Sequence, residues 1–140
     1  MAGGIWVLGQ SGPNGGIARI SAEIATLARS LGEAGVREVT GIVIGSDPGA
    51  AATELATFVP RVIAVADPAL AGHASATIVA QRLVALAATD QPDVILCGAD
   101  PEGRDIAGAT AALLGWPILA RSVKVASAVR WAGCCRITRE

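Results

Sequence analysis

Hydrophobic positions along the chain fall into short apolar runs separated by longer stretches of helical period. Ile5-Trp6-Val7-Leu8 is the first run, closed by Gly9. Ile20, Ile24, Leu27 and Leu31 then recur at the spacing of one helix face, and Gly32 and Gly35 are placed to end that helix as C-cap glycines. Val39 to Ile44 and Arg61 to Val65 predict the second and third strands. Val79, Leu83 and Leu86 mark the inner face of a helix from about Ala74 to Thr89. Val94 to Cys97 predicts a fourth strand, and Ile106, Thr110 and Leu113 the inner face of a helix ending at Gly115-Trp116-Pro117. Ile118 to Val125 reads as a fifth strand.

The runs are apolar throughout rather than alternating, as in strands covered by helices on both sides. Strand–helix alternation at this spacing predicts a three-layer α/β/α domain with a mostly parallel, doubly wound sheet. Asp-Pro recurs at Asp47-Pro48, Asp67-Pro68 and Asp100-Pro101, each time after a strand. An Asp side chain accepts from first-turn amides and a proline at N1 sacrifices no donor, so all three read as helix starts. Gln10 to Gly16, rich in Gly, Ser, Asn and Pro, reads as a flexible linker.

Composition narrows the function classes. The chain of 140 residues is the size of one domain, and its net charge of −1 offers no basic face to nucleic acid or to an anionic membrane. One Phe, three Trp and no Tyr provide little for base stacking. The longest apolar stretch, Ile106 to Ala120, is broken by Gly115 and Pro117, so no membrane insertion is expected. The N-terminus lacks a basic start, and the expected location is cytoplasmic.

Candidate chemistry is sparse. His73 is the sole histidine, and Cys97, Cys134 and Cys135 form no Cys-x-x-Cys pair, so neither a zinc site nor a His-dependent triad is expected. Cys97 is expected to be a buried strand residue, and Cys134 and Cys135 two thiols. In parallel sheets ligands sit at the C-terminal strand ends. The first such loop spells neither the dinucleotide fingerprint nor the P-loop. The loop after the fourth strand, Gly98 to Asp105, combines glycines, a helix N-terminus and Arg104 with three acids, Asp100, Glu102 and Asp105. Arg104 there either meets an anion or pairs with one of those acids. No catalytic residue is assigned.

At this loop the sequence resembles a known family. Gln91-Pro92-Asp93-Val94-Ile95-Leu96-Cys97-Gly98-Ala99, Gly103-Arg104-Asp105-Ile106-Ala107 and Ala111-Ala112-Leu113-Leu114-Gly115-Trp116-Pro117 are similar to the N-terminal domain of the electron transfer flavoprotein alpha subunit. The first strand, the Gly41 to Gly45 strand and Asp67-Pro68-Ala69-Leu70 fit the same pattern. The resemblance implies an adenine-nucleotide-hydrolase-like, Rossmann-like fold and an electron carrier component rather than an enzyme. It also implies FAD, held mainly by a C-terminal domain with no counterpart in these residues. The implied partner is a beta-type subunit in a heterodimer that receives electrons from dehydrogenases, acyl-CoA dehydrogenases among them. The resemblance covers about Ile5 to Val125, giving a domain over residues 1–125 and an atypical tail over 126–140 that suggests a truncated gene or an isolated domain.

Two other readings stand beside it. One is a stand-alone adenine-nucleotide binder for AMP or ATP; the other is a fragment without autonomous activity. The residues proposed to line a cofactor site are Gly9, Gly98, Gly103 and Arg104, and no metal ligand is proposed.

Overall fold

In the computed structural model, which describes residues 4–35, 37–72, 75–124 and 130–138, with backbone alone at 119–124, 130–136 and 138, strands form where the apolar runs lie. They are β1 (Ile5–Gly9), β2 (Val39–Gly45), β3 (Arg61–Ala66), β4 (Val94–Gly98), β5 (Ile118–Lys124) and β6 (Arg130–Thr138). The helices are α1 (Arg19–Gly35), α2 (Gly49–Leu55), α3 (Ala76–Asp90) and α4 (Pro101–Leu114), with a 3-10 turn at Pro68–Leu70.

The sheet order is β3-β2-β1-β4-β6-β5. The first four strands are mutually parallel, with Ile5 opposite both Val39 and Val94. β6 runs antiparallel to both β4 and β5, pairing Gly98 with Cys134 and Ile118 with Ile137. The fifth expected strand therefore exists but lies at the edge, separated from β4 by β6. No expected strand matched β6, because Trp131-Ala132-Gly133-Cys134-Cys135 carries neither an unbroken aliphatic run nor a clean alternation.

Alternate residues of β1, β2 and β4 feed two cores. Ile5, Val7, Val39, Val43 and Leu96 meet Ile24, Ala25 and Ala28 of α1 and Ala51 and Leu55 of α2. On the other face Trp6, Leu8, Ile42, Ile44, Ile95, Cys97 and Ile137 meet Val79 and Leu83 of α3 and Ile106 and Ala107 of α4. Two apolar faces leave no room for alternation, which explains the continuous runs. Each fully buried aliphatic side chain, such as Leu83 or Ile95, is worth about 1.5–3 kcal/mol in burial. Cys97 is buried in β4 as expected.

Four expectations need correction. β3 is an edge strand with no fully buried residue, because no second strand covers its outer side. Leu113 is 55% exposed, because it sits at the margin of the arc of α4 that Gly103, Ala107, Thr110 and Ala111 bury. Gly32 lies inside α1 rather than capping it; a Cβ there would come within 2.7 Å of Val39 Cγ2, so the glycine lets helix and strand approach. Its carbonyl accepts from the Arg37 amide at 2.9 Å, the five-residue closure that ends a helix. Asp47, finally, caps nothing: Pro48 is the N-cap of α2 and no side chain caps its first turn.

The other two Asp-Pro pairs behave as expected. The Asp100 carboxylate accepts from the Gly103 amide at 2.9 Å and starts α4. The Asp67 carboxylate accepts from the Ala69 amide at 3.0 Å and starts the 3-10 turn. Asp67 is also buried and receives Arg82 Nε at 2.8 Å. Those two donors, the Arg82 bond first, hold its carboxyl below the ordinary carboxylate value. His73 lies outside the described residues, as do the side chains of Cys134 and Cys135.

Candidate functional site

Helices α1 and α2 cover one face of the sheet and α3 and α4 the other, so the chain leaves β1 and β4 toward opposite faces. Because β1 and β4 are neighbours, the point between their C-terminal ends is where the winding reverses. A doubly wound sheet opens its ligand crevice there.

Gln10 follows β1 and Asp100 follows β4, and their side chains join across this point. Gln10 Nε2 donates to Asp100 Oδ1 at 3.2 Å and Oδ2 at 3.1 Å. The Gln10 amide N–H donates to Ser21 Oγ of α1 at 2.8 Å, anchoring the residue from behind. Gln10 is only 4% exposed, yet its Oε1 is buried without a hydrogen-bond partner. Such an orphaned carbonyl costs roughly 1–3 kcal/mol.

The loop from Gln10 to Ala18 is ordered rather than a loose linker. Ser11 and Ile17 form an antiparallel bridge, the Gly12 amide donates to the Gly16 carbonyl at 2.7 Å, and Ala18 donates to the Gln10 carbonyl at 2.7 Å. Glu54 of α2 accepts from the Ile17 amide at 2.8 Å. Gly15 takes the left-handed φ of +82° that this tight excursion requires.

Beside this point a cleft of about 230 Å³ opens over the ends of β1 and β2. Leu8, Ile44, Leu70, Val79 and Ile106 contribute apolar lining, and Ser11, Ser46, Asp47 and Glu102 polar lining. Among the described residues, no lysine, arginine or histidine lines it, and no lining residue makes a nucleophile–base pair. A larger groove of about 660 Å³ lies at the opposite end of the sheet, by Val39 and Thr40. Its arginines are already engaged: Arg37 with Asp93 at 2.8 Å, Arg61 with Asp90 at 3.6 Å and Arg29 with Glu33 at 3.9 Å. Lying at the N-terminal strand ends, that groove is the weaker site candidate.

Of the four residues proposed from sequence, the structure brings Gly98 and Gly103 into contact, places Gly9 in the cleft lining and leaves Arg104 outside it. Gly9 lines the cleft, but a Cβ on it would come within 2.9 Å of Leu55 Cδ2 and 3.1 Å of Val43 Cγ2 in the core. Gly98 and Gly103 pack against each other, the Gly98 carbonyl filling the space where a Gly103 side chain would begin. Arg104 is exposed, does not line the cleft and, among the described residues, makes no ion pair. The residues that do meet, Gln10, Ser21 and Asp100, went unassigned. Asp100 was visible as a helix start, but nothing local to Gln10 indicates a partner ninety positions away.

The residues at the switch point do not fit FAD. Ligand pockets usually enclose about 300–1,000 Å³, and this cleft is smaller, with two carboxylates and, among the described residues, no cation. The Asp100 carboxylate already takes the Gly103 amide, one of the α4 first-turn donors a diphosphate would use.

Two comparisons with known proteins bear on this arrangement. A search of curated proteins returned no match. The family description "Electron transfer flavoprotein domain" matches residues 5–140, from the first residue of β1 through β6. With nearly the whole chain matched, this protein belongs to the electron transfer flavoprotein domain family.

Proposed function

We propose that this chain serves as the alpha-type N-terminal part of an electron transfer flavoprotein, docking a beta-type subunit and forming one wall of the flavin cleft. The family match over residues 5–140 carries the reading. The site agrees with it in kind: among the described residues the lining of the cleft contains no nucleophile–base pair, which suits a positional contribution. FAD would belong to the assembled complex, held mainly by other residues, a reading supported by the small size of this cleft, about 230 Å³. Dehydrogenases would then pass electrons to that flavin.

Co-expression with a beta-type electron transfer flavoprotein chain tests this. A mixed complex on size-exclusion chromatography is the expected result. Two separate peaks at micromolar concentrations, with both chains folded, would overturn it. The alternative of a stand-alone adenine-nucleotide binder has less support, because Gly98 and Gly103 are used in packing and Arg104 stands outside the cleft.

A further inference from the structure

We propose that Gln10 and Asp100 form an internal plug that makes the β1–β4 crevice refuse phosphate-bearing ligands. This goes beyond the assignment above, and its test involves no partner subunit.

Two features attract phosphate to the switch point of a doubly wound sheet: open space between the two strand ends, and the unpaired amides of a helix N-terminus. This chain fills both with its own atoms. The space is occupied by the Gln10 carboxamide, whose Oε1 lies so close to Gly98 that a Cβ there would be 2.6 Å from it. The first turn of α4 already holds an anion, because Asp100 Oδ1 accepts from the Gly103 amide at 2.9 Å. Gln10 Nε2 then holds that carboxylate in place through both of its oxygens. An incoming phosphate meets a negative charge where it needs donors, and a side chain where it needs room.

The orphaned Gln10 Oε1 is the independent sign that this side chain is placed for occupancy. A glutamine whose only task was to hold Asp100 would do better with its carbonyl toward water. Here the bonds to Ser21 and from Ala18 fix the Gln10 main chain, and the Nε2 bonds to Asp100 leave the oxygen beside Gly98.

The test uses the chain unaltered and as the double variant Gln10→Ser with Asp100→Ser, titrated calorimetrically with AMP and with inorganic pyrophosphate. Serine at 100 keeps a capping oxygen and removes the charge. The unaltered chain should give no binding heat at millimolar ligand. The double variant should bind at least one of the two ligands on the order of tenfold tighter or more. Gln10→Glu, which keeps the bulk and adds a like charge, should stay silent. Equal binding by the unaltered chain, or a double variant that keeps the native circular dichroism and shows no gain, overturns the proposal. Should the double variant fail to fold, Gln10→Ser with Asp100→Asn, which also keeps a capping oxygen and removes the charge, takes its place, and its failure to bind more tightly than the unaltered chain overturns the proposal equally.

Discussion

The connections after β4 and after β1 start side by side in the sheet and are built on opposite principles. After β4 only Ala99 and Asp100 separate the strand from α4, and the turn is closed by its own residues. After β1 nine residues intervene before α1, and they are held by partners from α1, α2 and the β4 turn. The short turn owes its geometry to steric fit and one cap, whereas the long loop owes its geometry to contacts distant in sequence. A fault in the first should therefore cost more stability than a fault in the second.

Substitutions can break that ordering. The largest effect is expected for Gly103→Val, because the first added atom would overlap the Gly98 carbonyl and approach Asp100 Oδ1 at 2.7 Å, and neither can yield easily. Overpacking of this kind costs about 3 kcal/mol, read as a fall in the urea midpoint. Gly108→Ala in the same helix meets nothing within 4 Å and should stabilise, by about 0.5–1 kcal/mol. Next comes the cap: Asp100→Ala should lose about 1–2 kcal/mol, while Asp47→Ala should be nearly neutral because Asp47 caps nothing. Equal losses at the two positions would contradict the assigned caps.

In the long loop, Glu54→Ala removes one exposed acceptor from the Ile17 amide. It should cost under about 1 kcal/mol, and hydrogen exchange should quicken at Ile17 while the β4 amides keep their protection. The smallest effect concerns a third connection, the Asp67 turn after β3. Arg82 and the Ala69 amide hold that carboxyl below its ordinary 3.8, so its contribution is complete above the unfolded value. It is lost as the pH falls from about 4 through the lower folded value. Asp67→Asn should flatten the melting temperature over that window; an unchanged slope would assign the acid response to other carboxylates.

The same contrast decides how much could be read from the sequence. β1, β2 and β4 were legible because burial on both faces leaves continuous apolar runs. Asp67 and Asp100 were legible because a cap lies within three residues of its amide. Asp47-Pro48 shows the limit, since the same dipeptide can place its proline at the N-cap and leave the carboxylate idle. Gln10 was illegible because its partners, Ser21 and Asp100, lie in other elements. Gly98 and Gly103 were noticed as glycines, but their reason is the contact between two turns of backbone. β6 went unseen because the burial of Ile137 depends on a place between β4 and β5 that no local pattern specifies.

That placement of β6 also bears on the order in which the chain can fold during synthesis. The four parallel strands are complete once Gly98 has emerged, and α4 can dock soon after. β5 emerges next, yet its only neighbour in the sheet is β6, which is made later. Until Thr138 leaves the ribosome, β4 has an open edge and β5 has nothing to pair with. Because non-local pairing of this kind is slow to form, the nascent domain passes through an interval with one exposed edge on a nearly finished core. Premature termination anywhere in β6 would make that interval permanent.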